Sequence, residues 1–457
     1  MQNGLNYYFT DFMLIIPFLL ALIVRFTREV KMKWRLTLAA PIFIISLSLF
    51  DFLFTHFQFS SSFTLSKSFA LQTEFFYVNL FYSLVFFGII FSNSEGNYSF
   101  DRFFHHLLTY GATLGFLSAD NLYWLVFFYI LQIYPSLVSL SQSEKLNFKK
   151  IGIFGIYQGL GVCYFIVATI ILVNEGISPS VHAIAEGHYI QNTQTSLAGL
   201  LFLMSVFIGQ AIFPYHSWIR AYIKKADLST ALIYLVNFGS FGILYKIVLP
   251  LLYSDSLVIY PVLTVATIFS ALYWAVLALT EKNLRTIFAM ILSSQTALIF
   301  TGFELGDIVG KFGSFYQWLT LILALSGFGL SLMYVENRTD IKSLKTFFGL
   351  SHKAPLLASM FFLFGFITVG LPGGMAFVGE DILFHAIIEH YPWIGIGVIL
   401  TTALNAMTIY KSFCYLFHGT NESYRFILDL NKREIITLFP IIFFLLLFGL
   451  APQLILG

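Results

Sequence analysis

Charge is what this sequence lacks most. Only 11% of its 457 residues are Asp, Glu, Lys or Arg, against roughly 25% in soluble globular domains, and this excludes a water-soluble enzyme. Cysteine is nearly absent too: Cys163 and Cys414 are the two present, too far apart in sequence for a disulfide framework or a paired-cysteine metal site. No Gly-x-Gly-x-x-Gly follows a strand-like run and no cysteines cluster, so no nucleotide, flavin or iron–sulfur cofactor is expected. The neighbouring His105 and His106 point in different directions on a helix, with no other ligand spaced to join them, so no metal site is expected either. Met1 to Thr10 contain no Lys or Arg, so the basic region of a cleavable signal is missing and the apolar run that follows is expected to stay as a first span.

What is abundant is apolar surface. Hydrophobic residues make up 58% and aromatics 19%, with 54 Phe and 25 Tyr, and the mean hydropathy is +0.82. At about 20 residues per membrane helix, the chain has room for roughly fourteen. Apolar runs separated by charged or turn-rich breaks give fourteen spans, so the expected fold is an all-α polytopic membrane protein. The eighth span is drawn over 228–251, the tenth over 286–303 and the twelfth over 354–388. The twelfth is too long for one straight crossing and contains Gly370-Leu371-Pro372-Gly373-Gly374. Proline removes a backbone donor and glycine adds freedom, so Pro372, Gly373 and Gly374 predict two half-helices around an unwound centre.

Basic residues test this segmentation. Alternate loops hold 22 of the 25 Lys and Arg; the opposite loops hold only Lys67 and Lys311, and Lys246 falls inside span 8. A missed span would invert the alternation downstream, and no inversion occurs. The positive-inside rule then puts the rich loops in the cytoplasm and both termini on the outer side of the cell inner membrane. The longest polar stretch, about 174–195 with Glu175, His182, Glu186 and His188, is too short to fold alone.

Three segments carry more than composition: Phe213-Pro214-Tyr215-His216-Ser217-Trp218 closing span 7; Asn283-Leu284-Arg285-Thr286-Ile287-Phe288-Ala289 followed by Ser293-Ser294-Gln295; and Gly370-Leu371-Pro372-Gly373-Gly374-Met375-Ala376-Phe377-Val378-Gly379-Glu380. Together they resemble the antiporter-like subunits of respiratory complex I (NADH-quinone oxidoreductase) and of Mrp-type cation/proton antiporters, and within them the complex I member with a Leu-Pro-Gly…Phe-Val-Gly-Glu motif in helix twelve. The resemblance runs over roughly 100–415. It implies two inverted five-helix repeats with broken helices: 101–255 (helices 4–8) and 256–418 (helices 9–13), preceded by helices 1–3 in 1–100 and followed by helix 14 in 419–457. It also implies protons or sodium moving along a row of intramembrane ionisable groups, which persist at membrane depth mainly where they line a hydrated path.

This chain departs from that row. Where the family has a helix-five Glu, Phe127-Phe128-Tyr129 is followed by Ile130, with Gln132 nearby. The helix-seven Lys position holds Gly209, beside Gln210, and the helix-eight Lys position holds Asn237. The eleventh span, 313–335, has no charged residue and no His, and only the helix-twelve acid, Glu380, is retained. Asp381 and His385 follow it, and a carboxylate beside a histidine makes a sensible relay; the alternative is that span 12 ends sooner and leaves these three at the outer interface. The candidate ion path is therefore Glu380, Asp381, His385, Lys246 and His216. Lys246 either snorkels to the outer surface or replaces the missing helix-eight Lys; His216 either opens the path at the cytoplasmic side or caps a helix. Gln132, Gln210, Asn237 and Gln295 read as interhelical hydrogen-bonding glue.

Two functions follow. One is a proton- or sodium-translocating subunit of a multi-subunit complex with a depleted path and no catalytic site of its own. The other is the membrane scaffold or coupling subunit of an inorganic-carbon uptake complex, partnered with a large peripheral zinc protein. Other membrane subunits are expected partners, and nucleic acid is not.

Overall fold

The computed structural model describes residues 2–56, 73–92, 101–141, 148–187, 192–237, 239–252, 256–305, 307–339, 341–419 and 427–456; the loop cations Lys67, Lys145 and Arg425, and His188 of the polar stretch, lie outside the described residues. The fold is all-α: two isolated bridges, Asn121 to Ser180 and Asn283 to Ser343, are the extended pairings among the described residues. Nine helices there are long and apolar enough to cross a membrane, and four shorter apolar helices accompany them. In lipid every backbone polar group needs an internal partner, and helices provide it.

The chain divides into two compact units. The first comprises Met1–Val206 and Ile233–Leu252. Its helices are α1 (Gln2–Phe26), α2 (Val30–His56), α3 (Thr73–Ser92), α4 (Arg102–Ser118), α5 (Leu122–Ser141), α6 (Phe148–Asn174), the short α7 (Val181–Ala185) and α8 (Thr193–Gly209). The second unit comprises Phe207–Leu232 and Tyr253–Gly457, so the 207–232 segment with α9 (Ser217–Lys225) belongs to it. Helix α10 (Leu228–Leu235) leads back into the first unit, where α11 (Ser240–Ile243), a π-helical turn over Leu244–Val248 and α12 (Leu249–Leu251) complete the eighth span. The apolar pattern predicts one span over 228–251, and the structure interrupts it between Leu235 and Ser240. Within this unit α4 is buried almost throughout, including Arg102, His105 and His106, and Asp101 pairs with Lys33 at its start. In the polar stretch, Ser180 is the N-cap of α7 and donates to Asp120 Oδ2 at 2.9 Å, while the His182 N–H donates to Asp120 Oδ1 at 2.8 Å.

The second unit continues with α13 (Ser256–Thr280), α14 (Leu284–Glu304), α15 (Ile308–Thr339), α16 (Pro355–Thr368), α17 (Met375–His390), α18 (Pro392–Phe417), α19 (Lys432–Leu450) and α20 (Gln453–Leu456). Helices α14 and α15 are buried along nearly their whole length. By contrast α13 and α18 expose apolar side chains such as Val262, Phe269, Ile399 and Met407, as helices facing lipid do. Arg285 on α14 forks onto Glu336 of α15 at 2.7–2.9 Å and donates to the Ala226 carbonyl at 2.9 Å. Arg338 joins the end of α15 to Glu434 at the start of α19, and the Asp429 carboxylate accepts from the Leu356 and Leu357 N–H groups at 2.9 and 3.0 Å, holding the first turn of α16.

A carboxylate in a helix break

Helix α16 ends with two hydrogen bonds that close its last carbonyls: the Gly370 N–H donates to Ile367 O at 3.3 Å and the Leu371 N–H to Phe366 O at 3.0 Å. This is the paired arrangement of a glycine-terminated helix, and Gly370 takes the left-handed φ of +82° that it needs. Pro372 has no N–H to continue the helix, and the chain restarts at Gly374, whose N–H donates to Leu371 O at 2.9 Å. The backbone of the break is thus largely satisfied by itself.

Glu380, in the second turn of α17, folds its carboxylate back onto this break. A methyl group added at Gly370 would lie 2.5 Å from Glu380 Oε2, so the glycine makes room for the acid as well as for the turn. Gln317 of α15 donates to Glu380 Oε1 at 3.3 Å. Gly379 lets α15 approach: a side chain there would meet Gln317 Oε1 at 2.7 Å. The sequence motif therefore has a physical reading, with one glycine on each side of a carboxylate and an amide beside it.

Asp381 and His385 do not share this pocket. They lie on an exposed face of α17, with His385 Nδ1 3.5 Å from Asp381 Oδ1 and side chains 73% and 55% exposed. The helical spacing i, i+4 pairs them with each other, whereas i, i+5 separates His385 from Glu380. Lys246 is half-buried in the π-helical turn of the first unit and borders a small pocket with Phe116, Leu117, Leu125, Val181 and Gly239, roomy enough for about one water molecule. His216 precedes α9 and is half-buried; its Nε2 lies 3.2 Å from the Tyr273 hydroxyl and its ring stacks on Phe213. Around it the interrupted seventh span is sealed by side chains. Trp218 donates to Ile208 O at 2.8 Å, Trp274 to Ala211 O at 3.0 Å, and Ser270 Oγ accepts from the Phe213 N–H at 3.0 Å.

Asn237 occupies the break in the eighth span. Its amide donates to Tyr234 O at 2.6 Å and accepts from the Gly239 N–H at 3.0 Å, so both halves of the side chain are committed to backbone. At the other end of α13, Lys411 Nζ caps the last carbonyls, Leu279 O at 2.6 Å and Glu281 O at 2.9 Å. Burial alone would raise the Glu281 carboxyl, but the Asn283 and Lys282 N–H groups, with Lys224 and Arg220, outweigh it and hold the acid below its usual range.

Two polar features escape a reading of the sequence. Asn405 of α18 donates to Ser294 Oγ at 2.9 Å, which donates to Ala271 O at 2.9 Å, a buried link across three helices. Glu304, one residue past the tenth apolar run as drawn, is fully buried at the end of α14; a span extended by a single residue would have brought an acid into the membrane and drawn notice.

Comparison with known proteins adds to this geometry. A family described as NADH:quinone oxidoreductase/Mrp antiporter, transmembrane, matches residues 119–405. The NADH-quinone oxidoreductase subunit M of Rickettsia felis is 27% identical over 251 residues, 54% of this chain and 51% of that protein, so the chain spans about half the length of this curated relative. A chain of respiratory complex I from Thermus thermophilus superposes with a TM-score of 0.84 at 19% identity, over 97% of this chain and 96% of that one. A chain of the Mrp complex from a Dietzia species does so with a TM-score of 0.86 at 16% identity, over 99% and 96%.

Proposed function

Because this chain belongs to the NADH:quinone oxidoreductase/Mrp antiporter family of membrane proteins, we propose that it moves protons, or sodium ions, as an antiporter-like subunit of a multi-subunit membrane complex, with Glu380 as its principal ionisable group. The observation that carries this reading is the Glu380 carboxylate folded into the break between α16 and α17, beside Gln317. An acid inside a membrane span is costly and persists where it serves a path, and here the backbone makes no claim on it. The nine long spans with α1, α3, α8 and the pair α16–α17 make thirteen apolar crossings; we take the buried α4 as the fourteenth, an even number that puts both termini on one side. We keep the two repeats at 101–255 and 256–418; the second compact unit resumes at Tyr253, close to that boundary, but also takes in Phe207–Leu232. His216, beside Tyr273, and the surface pair Asp381 and His385 are further ionisable groups of the second unit, and Lys246, beside its small pocket, is one of the first.

Glu380→Gln preserves size and hydrogen bonding but cannot release a proton. Coupled ion transport by the intact complex in vesicles should fall by about a hundredfold, the scale of losing a positioned proton carrier; unchanged transport would overturn the reading. A second function, as membrane scaffold of an inorganic-carbon uptake complex, is favoured by one observation: Asn237, standing where the family carries a Lys, is consumed by backbone hydrogen bonds. Mass spectrometry of the complex captured through a tag on this chain separates the two. Flavin or iron–sulfur subunits, or small antiporter subunits, support transport; a large soluble zinc protein supports the scaffold.

A further inference from the structure

The end of α14 holds a second carboxyl that none of the foregoing uses. Glu304 is fully buried, and Thr267 Oγ1 lies 2.9 Å from its Oε2, while Oε1 has no hydrogen-bond partner among the described residues. No Lys, Arg or His there is close enough to pair with it; Asp307, the nearest acid along the chain, is engaged by the Gly310 N–H at 2.9 Å and faces His390 Nε2 at 3.5 Å. We propose that Glu304 is a proton-binding carboxyl, separate from Glu380, that holds its proton in this conformation.

The protons available around Glu304 decide its state. Thr267 Oγ1 stands 3.0 Å from Leu263 O and 3.1 Å from Thr301 Oγ1, and Thr301 Oγ1 stands 3.1 Å from Ala297 O. Each hydroxyl has one proton to give. Were Glu304 ionised, Thr267 would have to desert its own helix's carbonyls to supply the only hydrogen bond to the charge. The other oxygen would stay bare, and the acid would sit at the negative end of the α14 dipole. As the neutral acid, Glu304 donates from Oε2 to Thr267 Oγ1, Thr267 donates to Leu263 O, and Thr301 donates to Ala297 O. Every proton then has an acceptor, and the bare Oε1 is an uncharged carbonyl oxygen, which tolerates a missing partner far better than a charged one.

Infrared difference spectroscopy on the complex purified through this chain tests the assignment. Glu304→Gln should remove, near neutral pH, one carbonyl-stretch band of a protonated carboxylic acid, at the high-frequency side expected when that carbonyl accepts no hydrogen bond. The band should survive in Glu380→Gln, which separates this proposal from the transport reading. Thr267→Val, which removes the acceptor of the acid proton, should shift the band, and it serves alone if Glu304→Gln does not assemble. Loss of carboxylate bands only, or no shift in Thr267→Val, overturns the proposal.

Discussion

In the eighth span the chain is interrupted around Asn237, and the amide spends its donor on Tyr234 O and its acceptor on the Gly239 N–H. In the twelfth span the interruption at Val369–Gly374 is closed by the backbone itself, through Gly370, Leu371 and Gly374. The consequence is chemical. A side chain that repairs a helix break is tied in place by backbone and keeps less capacity to bind an ion, whereas a break repaired by glycine and backbone leaves its side chain free of the backbone. Glu380 is that group, held by Gln317 and by no backbone atom, and an amide could not carry a proton even if it were free. Breaking a helix is therefore not enough to make an ion site; what matters is which atoms satisfy the exposed backbone.

The comparison can be broken most forcefully at Asn237. Asn237→Leu removes one hydrogen bond to Tyr234 O, worth about 0.5–1.5 kcal/mol, and takes the Asn237 acceptor from the buried Gly239 N–H, worth about 1–3 kcal/mol. Thermal unfolding of the protein in detergent should register a loss of about 3 kcal/mol. A loss below about 1 kcal/mol would mean that water already serves this break and that Asn237 is not its repair.

The two glycines of the twelfth-span break sharpen the contrast at smaller cost. Both have left-handed φ, +82° at Gly370 and +85° at Gly373, so alanine at either should cost about 1–2 kcal/mol of backbone strain. Only at Gly370 would the new methyl meet Glu380, while nothing lies within 4 Å at Gly373. Gly370→Ala should therefore lose ion transport in vesicles along with stability, and Gly373→Ala should lose stability alone. Equal transport defects would detach Glu380 from the geometry of the break.

Much of this was legible in the residues. Apolar runs located the helices because lipid leaves the backbone no alternative, and Gly370-Leu371-Pro372-Gly373-Gly374 announced a break because proline and glycine change backbone energetics locally. The eighth-span break was hidden: Asn237-Phe238-Gly239 interrupts neither hydropathy nor length, and its repair depends on two backbone groups that only the folded chain presents. Glu304 was hidden for a different reason. A boundary drawn by hydropathy assigns an acid at the end of a run to water, and only packing by α13 and its neighbours decides otherwise. The relation of Asp381 to His385 followed from 3.6 residues per turn and could have been read directly, because i, i+4 places them on one face.

The smallest effect concerns the seventh span, where Ala211 takes a left-handed φ of +53° without being glycine. Its carbonyl accepts from Trp274 Nε1 at 3.0 Å, so the turn is held by a side chain from α13. Ala211→Gly should relieve about 1–2 kcal/mol of left-handed strain. Against this stand about 0.5–1 kcal/mol for the extra freedom of an unfolded glycine and about 0.8 kcal/mol for one buried methyl, since Ala211 is fully buried. The terms nearly cancel, and unfolding should shift by less than about 0.5 kcal/mol. A clear gain in stability would show that this break, unlike the glycine-closed one at 369–374, stores strain that tryptophan contacts hold in place; it would then belong with the Asn237 break, as one repaired by side chains rather than by backbone.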